Sequence, residues 1–309
     1  MQFGEEEQRR RNLQSRDAWD AFASHRSILT DLIVAAVEQT RPNFTTDGPS
    51  VLVLGAGNCN DLDLPRILAT TPSLHLVDLD AESLQDGAAR QGCVGHERLR
   101  LHGGIDLAGL LGQVRSHDDW PFGEPPGPER LVDQVADYQP PLAAAIFAKS
   151  DASSIDPKSN SPAFDVVVSA CLLSQILEPV LAAVTPRQPL HLPLVQAVRL
   201  RHLQLLVEWL KPGGVGILAT DVVSSDTCPE LAGTARERLR PLLQQLIAQH
   251  NFFTGLNPQV LDQLFRTGPR VAEKLARVDA LAPWSWNLGP RVYAVCGWRF
   301  ETTSCRTLR

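Results

Sequence analysis

The sequence predicts an α/β fold: a doubly wound, mostly parallel sheet with helices on both faces, a helical N-terminal extension and a C-terminal antiparallel hairpin. Three observations predict it. Val51-Leu52-Val53-Leu54 reads as a buried strand and runs straight into Gly55-Ala56-Gly57. Beyond it, short apolar runs alternate with stretches of helical periodicity, the mark of parallel strands joined by crossover helices. Near the end, Val292, Ala294, Cys296, Trp298 and Phe300 alternate as one face of a strand does.

The elements follow in order. Residues 5 to about 41 read as one or two helices, with Trp19, Phe22, Ile28, Leu29, Leu32 and Ile33 near helical spacing. Pro42, Gly48 and Pro49 make a linker, which divides an extension, 1–48, from one α/β domain, 49–309. After the glycine turn, Ile67 and Leu68 continue a helical face. Leu74 to Val77 is a second strand ending in Asp78, and Leu99 to His102 a short third, with Asp106 close behind.

The stretch from Asp106 to Ala163 is too long for a plain crossover. It predicts an insertion over about 112–162, either part of a lid or a surface excursion. Within it, Trp120 to Pro128 is too rich in Pro and Gly for regular structure, Pro128 to Ala136 is a short helix, and Ala152 to Ser161 is a polar loop. Phe164 to Ser169 and Val215 to Thr220 are further apolar runs, with a long amphipathic helix, Leu192 to Leu210, before the second. Pro229 to Gln249 reads as another helix, and two short ones are expected up to about Ala276. The hairpin strands are Val278 to Trp286 and Arg291 to Phe300, turning at Asn287 to Pro290.

Composition sets bounds. At 309 residues and 43% apolar content, a folded domain with a sizeable core is expected. A net charge of -6 argues against a general nucleic-acid binder. Arg9-Arg10-Arg11 reads as a solvated helix face. No apolar run reaches the roughly 18 residues of a membrane span. The N-terminus, rich in Gln, Glu and Arg, is unlike a secretory signal, so a cytoplasmic setting is expected. The six cysteines form no Cys-x-x-Cys pair, and no metal is expected; Cys59, Cys171 and Cys296 read as small buried hydrophobes.

The chemistry lies in the first two strands. A strand that ends in glycines and opens a helix brings backbone N–H groups close to a ligand at the positive end of a helix dipole. A carboxylate at the tip of the neighbouring strand, Asp78, is placed to accept both hydroxyl protons of a ribose. The pattern points to a nucleoside cofactor. A dinucleotide fingerprint needs glycine at the first, third and sixth positions of the turn. Here these are Gly55, Gly57 and Asn60, and the missing sixth glycine counts against NAD.

The turn resembles that of class I S-adenosylmethionine-dependent methyltransferases, Gly-x-Gly-x-Gly after a strand. The chain departs at the third glycine, replaced by Cys59, which fits there if its φ is negative. Phe164-Asp165-Val166-Val167-Val168-Ser169 resembles the family's fourth strand. Leu210-Lys211-Pro212-Gly213-Gly214 before Val215 to Thr220 resembles the entry to its fifth. The resemblance implies a seven-stranded sheet, five parallel strands plus the hairpin, and S-adenosylmethionine as cofactor.

It also implies site residues. Gly55, Ala56, Gly57 and Asn58 would line the methionine and ribose, Asp78 and Leu79 the nucleoside, and Ser169 and Ala170 would bind the cofactor beside its methionine. Asp106 is either an adenine contact or a helix N-cap. Asn60 and Asp61 either cap the next helix or meet the cofactor ammonium. Ser169, Leu172 and Gln175 either flank the methyl group or form a buried strand-to-helix turn. The helical extension resembles a cap over the cleft; Trp19, Phe22, His25 and Arg26 either contact substrate there or dock the helix.

Asp221, at the end of the fifth strand, is the nominated base. His191 and His202 read as ordinary helix residues, and Trp284, Trp286, Tyr293 and Trp298 as core packing more than a ligand platform. Residues 169–175 lack the Asn or Asp, prolines and aromatic of base-directed nucleic-acid methyltransferases. The expected reaction is methyl transfer to O, N or C of a small molecule, with a protein acceptor also open. An NAD-dependent oxidoreductase and a non-catalytic binding module are the alternatives. No membrane partner is expected.

Overall fold

The computed structural model describes residues 3–41, 48–110, 128–142, 146 and 164–304. The chain begins with helices α1 (Phe3–Ser15) and α2 (Ala23–Thr40). Strand β1 (Ser50–Leu54) follows, then α3 (Leu64–Leu68), β2 (Ser73–Asp78), α4 (Ala81–Arg90) and β3 (Leu99–Gly103). Next come α5 (Pro128–Ala136), β4 (Phe164–Ala170), α6 (Leu172–Ala183), α7 (His191–Glu208) and β5 (Leu210–Ser224). Helices α8 (Arg236–Ala248) and α9 (Pro258–Thr267) lead to β6 (Leu275–Ala280), β7 (Trp284–Asn287) and β8 (Val292–Thr302).

One sheet has the order β3-β2-β1-β4-β5-β8-β6, with β7 also paired to β8. The first five strands are parallel, and β8 runs antiparallel to β5. Both faces are covered, and the alternation of a strand divides its side chains between them. Leu52 and Leu54 enter the core under α6 and α7, whereas Val51 and Val53 enter the one under α2 and α3. Burial on both faces explains why β1 and β4 read as unbroken apolar runs.

Several expectations need correction. The first hairpin strand is two: β6 ends at Ala280 and β7 starts at Trp284, so the sheet has eight strands. Pro283, between them, has no N–H for the ladder. The helix expected over 229–249 breaks into a 3-10 turn, Pro229–Gly233, and α8, because Thr234 and Ala235 are extended. The second of the two short helices before Ala276 is only a 3-10 turn, Ala272–Lys274. Of the insertion, the helix at 128–136 is present; Trp120 to Gly127 and Ala152 to Ser161 lie outside the described residues. No helix among the described residues is long and apolar enough to cross a membrane.

Candidate active site

The glycine bend and the strand-tip acid meet directly. Asp78 Oδ2 accepts the Gly57 N–H at 2.7 Å, and Oδ1 accepts the Asp80 N–H at 2.9 Å. Burial pushes the Asp78 carboxyl up to about 6, while these backbone donors pull it down. Gly55 and Gly57 both have positive φ, +76° and +47°. A Cβ on Gly55 would stand 2.8 Å from Leu172 Cβ, and one on Gly57 3.2 Å from Asn12 Oδ1.

Cys59 departs from expectation: its φ is +58°, the left-handed region the family's glycine would favour, and it is fully buried. That conformation costs a side-chain-bearing residue about 1–2 kcal/mol. The close packing comes instead from Gly87 of α4, where a Cβ would fall 2.3 Å from the Asn58 carbonyl oxygen. Gly87→Ala is therefore expected to destabilise the fold by about 1–3 kcal/mol in urea denaturation, because backbone rather than a yielding side chain must move.

The turn does not open a helix at once. Helix α3 starts only at Leu64 and spans five residues, with Asp63 as its cap, accepting the Arg66 N–H. Asn60 and Asp61 are thus not caps. Asn60 Nδ2 donates to Ser15 O at 2.7 Å, and Asp61 turns toward a cavity wall.

Two connected spaces flank the bend. A slot of about 70 Å³ lies between Asp78 and Leu79, the Ile105–Leu110 loop, and Leu172 and Ile176 of α6. A larger cavity, about 640 Å³, continues past Gly55, Ala56, Gly57 and Asn58 to Asp61, Asp221, Trp286 and Tyr293. Gln8, Gly55 and Gln175 line both. Asp106 lines the slot, and the described residues after it, 107–110, are not helical; its Oδ1 accepts the N–H groups of Ala108 and Gly109 in a turn.

Other expected residues fall elsewhere. Ser169 and Ala170 are buried and do not line either space. Gly55 and Leu172 stand before them, and Ser169 Oγ is bonded to His202 Nε2 at 2.9 Å. Trp19 lies outside the cavity, with the Arg26 guanidinium 3.4 Å over its ring. His25 is 1% exposed, so it has no face for a substrate. Its Nδ1 accepts the Trp284 indole N–H at 2.9 Å. An indole only donates, so the imidazole proton sits on Nε2, 3.3 Å from Asp61 Oδ1. Burial holds His25 down to about 3, hence neutral. His191 Nδ1 faces Val184 O, away from the site.

Phe22 lines the cavity, as does part of the aromatic tail: Trp286 and Tyr293 are wall residues, whereas Trp284 and Trp298 are core. Arg10 and Arg11 also line it rather than forming a solvated face, and Arg11 pairs with Glu178. Asp221 is buried on the wall, accepting from Ser174 Oγ at 2.6 Å; burial pushes its carboxyl up to about 6. Asp61 rises to about 7, by burial and, after the opposing effect of Arg26, by the charge of Asp221.

The sequence reading missed the inner face of α1. Gln8, Arg11, Asn12 and Ser15 all line the cavity. Asn12 Nδ2 reaches Asp80 Oδ2 at 3.0 Å, and Asn58 Nδ2 donates to Asn12 O at 3.1 Å. Their polar stripe at helical spacing was the available signal.

Five parallel strands, an antiparallel closing pair and an acid on the second strand held to the glycine bend decide the fold. This is the fold that the resemblance to class I methyltransferases implies, with one strand more. No family model matches the chain, and no curated protein matches it. Among solved structures, the chain is similar to the amino pentose methyltransferase CalS10 of Micromonospora echinaspora, at 17% identity over 63% of this chain and 49% of that one, with a TM-score of 0.29. It is also similar to the CurJ carbon methyltransferase, at 15% identity over 90% and 54%, TM-score 0.42. With the N-methyltransferase NodS of Bradyrhizobium japonicum, in complex with S-adenosylhomocysteine, it shares 11% over 87% and 85%, TM-score 0.38. The chain spans about half the length of the first two.

Proposed function

We propose that the protein transfers a methyl group from S-adenosylmethionine to a small molecule bound in the larger cavity. One observation carries this: Asp78, on the wall of the slot, is locked to Gly57, on the wall of the larger cavity. The residues fit the cofactor. Two backbone donors leave acceptor positions on the Asp78 carboxylate for a ribose diol. Leu79, Ile105 and Leu172 give the slot apolar walls for an adenine, beside Asp106. Gly55, Ala56 and Gly57 leave room for the methionine portion.

When bound, the cofactor supplies a methyl group already activated on a sulfonium. The chain then has to orient an acceptor and exclude water. Helix α1, pinned through Asn12 and Ser15 to Asn58 and Asp80, covers the cleft. Residues 1–48 are the cap in this reading, and 49–309 the catalytic domain. Asp221, on the cavity wall, is the base that takes a proton from the acceptor in this reading. The five cysteines among the described residues are unpaired, which suits a reducing cytoplasm. An NAD enzyme gains no support, since antiparallel strands stand where a second mononucleotide unit would be.

Calorimetry with S-adenosylmethionine, S-adenosylhomocysteine and NADH tests the proposal. Sub-millimolar binding of the first two alone is expected, and binding of NADH alone overturns it. Cofactor binding without turnover across a broad acceptor panel would identify a binding module instead.

A further inference from the structure

We infer that the methyl acceptor is a basic amine, its nitrogen held between Asp61 and Asp221 against the aromatic wall of Phe22, Trp286 and Tyr293. This rests on the methyltransferase reading and names its substrate class. All five residues line the same cavity. Trp286 is the centre of the wall: its ring lies 5.5 Å from Phe22, edge to face, and 5.4 Å from Tyr293. It stacks on neutral His25 at 4.9 Å, which fixes its plane from behind. Electron-rich ring faces attract a cation, and the Arg291 guanidinium already lies 5.9 Å from the Tyr293 centroid.

The charges sort themselves by depth. At the rim, Arg291 pairs with Asp226, and Arg11 with Glu178. Arg26, the cation that acts on Asp61, is held by Trp19 O and Asn60 O. The ring nitrogen that lies near Asp61, His25 Nε2, carries no charge. Arg26 acts on Asp61 and Arg11 on Asp221 only through space; no cation is bonded to either buried carboxyl among the described contacts, and an ammonium between them would be a direct partner. The aromatic wall is the independent feature: a metal ion or water would need no rings.

The step balances. The bound ammonium gives one proton to a carboxylate of the pair, which frees the nitrogen lone pair. That pair forms the N–C bond as the S–C bond breaks, and the S–C electrons stay on sulfur. The products are a methylated ammonium, a neutral thioether and one proton, released to water.

The test uses two probes of similar size, tetramethylammonium and neutral tert-butanol, titrated against free and S-adenosylhomocysteine-loaded protein. At least tenfold tighter binding of tetramethylammonium is expected. Asp61→Asn and Asp221→Asn should each erase that preference and leave S-adenosylhomocysteine affinity unchanged. Equal binding of the two probes to wild-type protein overturns the inference. So does a loss of S-adenosylhomocysteine affinity in the variants with the cation preference intact, which would assign the acids to the cofactor. Failure of S-adenosylhomocysteine to bind at all sinks the methyltransferase reading separately, because the free protein still reports on the cation site.

Discussion

Asp78→Ala is expected to weaken S-adenosylhomocysteine binding by at least tenfold. A hydrogen bond to a charged group contributes about 1.5–3 kcal/mol, and the ribose would lose its acceptor. The substitution also strands two donors. Gly57 N–H and Asp80 N–H both end on this carboxylate, so stability should fall by about 1–3 kcal/mol as well. The two effects separate in measurement: calorimetry below the unfolding transition reads binding, and urea denaturation reads stability. Asp78→Asn offers a milder control. Its amide has one oxygen, so one of the two backbone donors must face an NH2 group. A folded variant with undiminished affinity would show that the acid braces the bend and does nothing for a ligand.

The constellation of Gly55, Gly57 and Asp78 was legible because it is written locally. An apolar run stops at glycines, the next stops at an acid, and parallel pairing of β1 with β2 brings their ends together. The same holds for β4 and β5, where two-sided burial leaves an unbroken apolar run. What could not be read depends on long-range contacts. Asn12 bonds Asp80 across 68 residues, and Trp284 bonds His25 across 259. Neither partner carries a local sign of the other. Ser169 was misplaced for a related reason: strand alternation gives the face of a residue, but Leu172 and Gly55 decide whether it reaches the opening. For Asp61 the sequence offers a helix cap or a contact to the cofactor ammonium, the cap because Asp is favoured there. Asp63, two positions on, takes that role, and Asp61 is left for the cavity. Cys59 shows that a glycine position can be filled by another residue when its neighbours, here Gly87, yield the space.

Asp61 gives the second large effect, and its sign runs against intuition. Burial raises its carboxyl from 3.8 to about 7 in the folded chain. The native state therefore holds a proton that the unfolded state has released. Nothing is lost below about pH 4, where both states are protonated. Stability then declines as pH climbs through the window from 3.8 to about 7, and the full cost applies above it. At about 1.4 kcal/mol per pH unit, a shift of this size costs on the order of 4 kcal/mol. Asp78 and Asp221, each raised to about 6, slope the same way but level off sooner. Asp61→Asn removes the titrating group at nearly unchanged side-chain size. The variant should be more stable than wild type at pH 8 by a few kcal/mol. Near pH 4 the two should nearly coincide, and its remaining decline should end near pH 6. The same change should raise the KM for an amine acceptor, since the cavity then carries one acid fewer. Stability gained where function is lost is the usual signature of a residue kept for chemistry. Urea denaturation of both proteins at pH 4 and pH 8 decides the matter: parallel curves would mean that Asp61 is not held protonated by its burial.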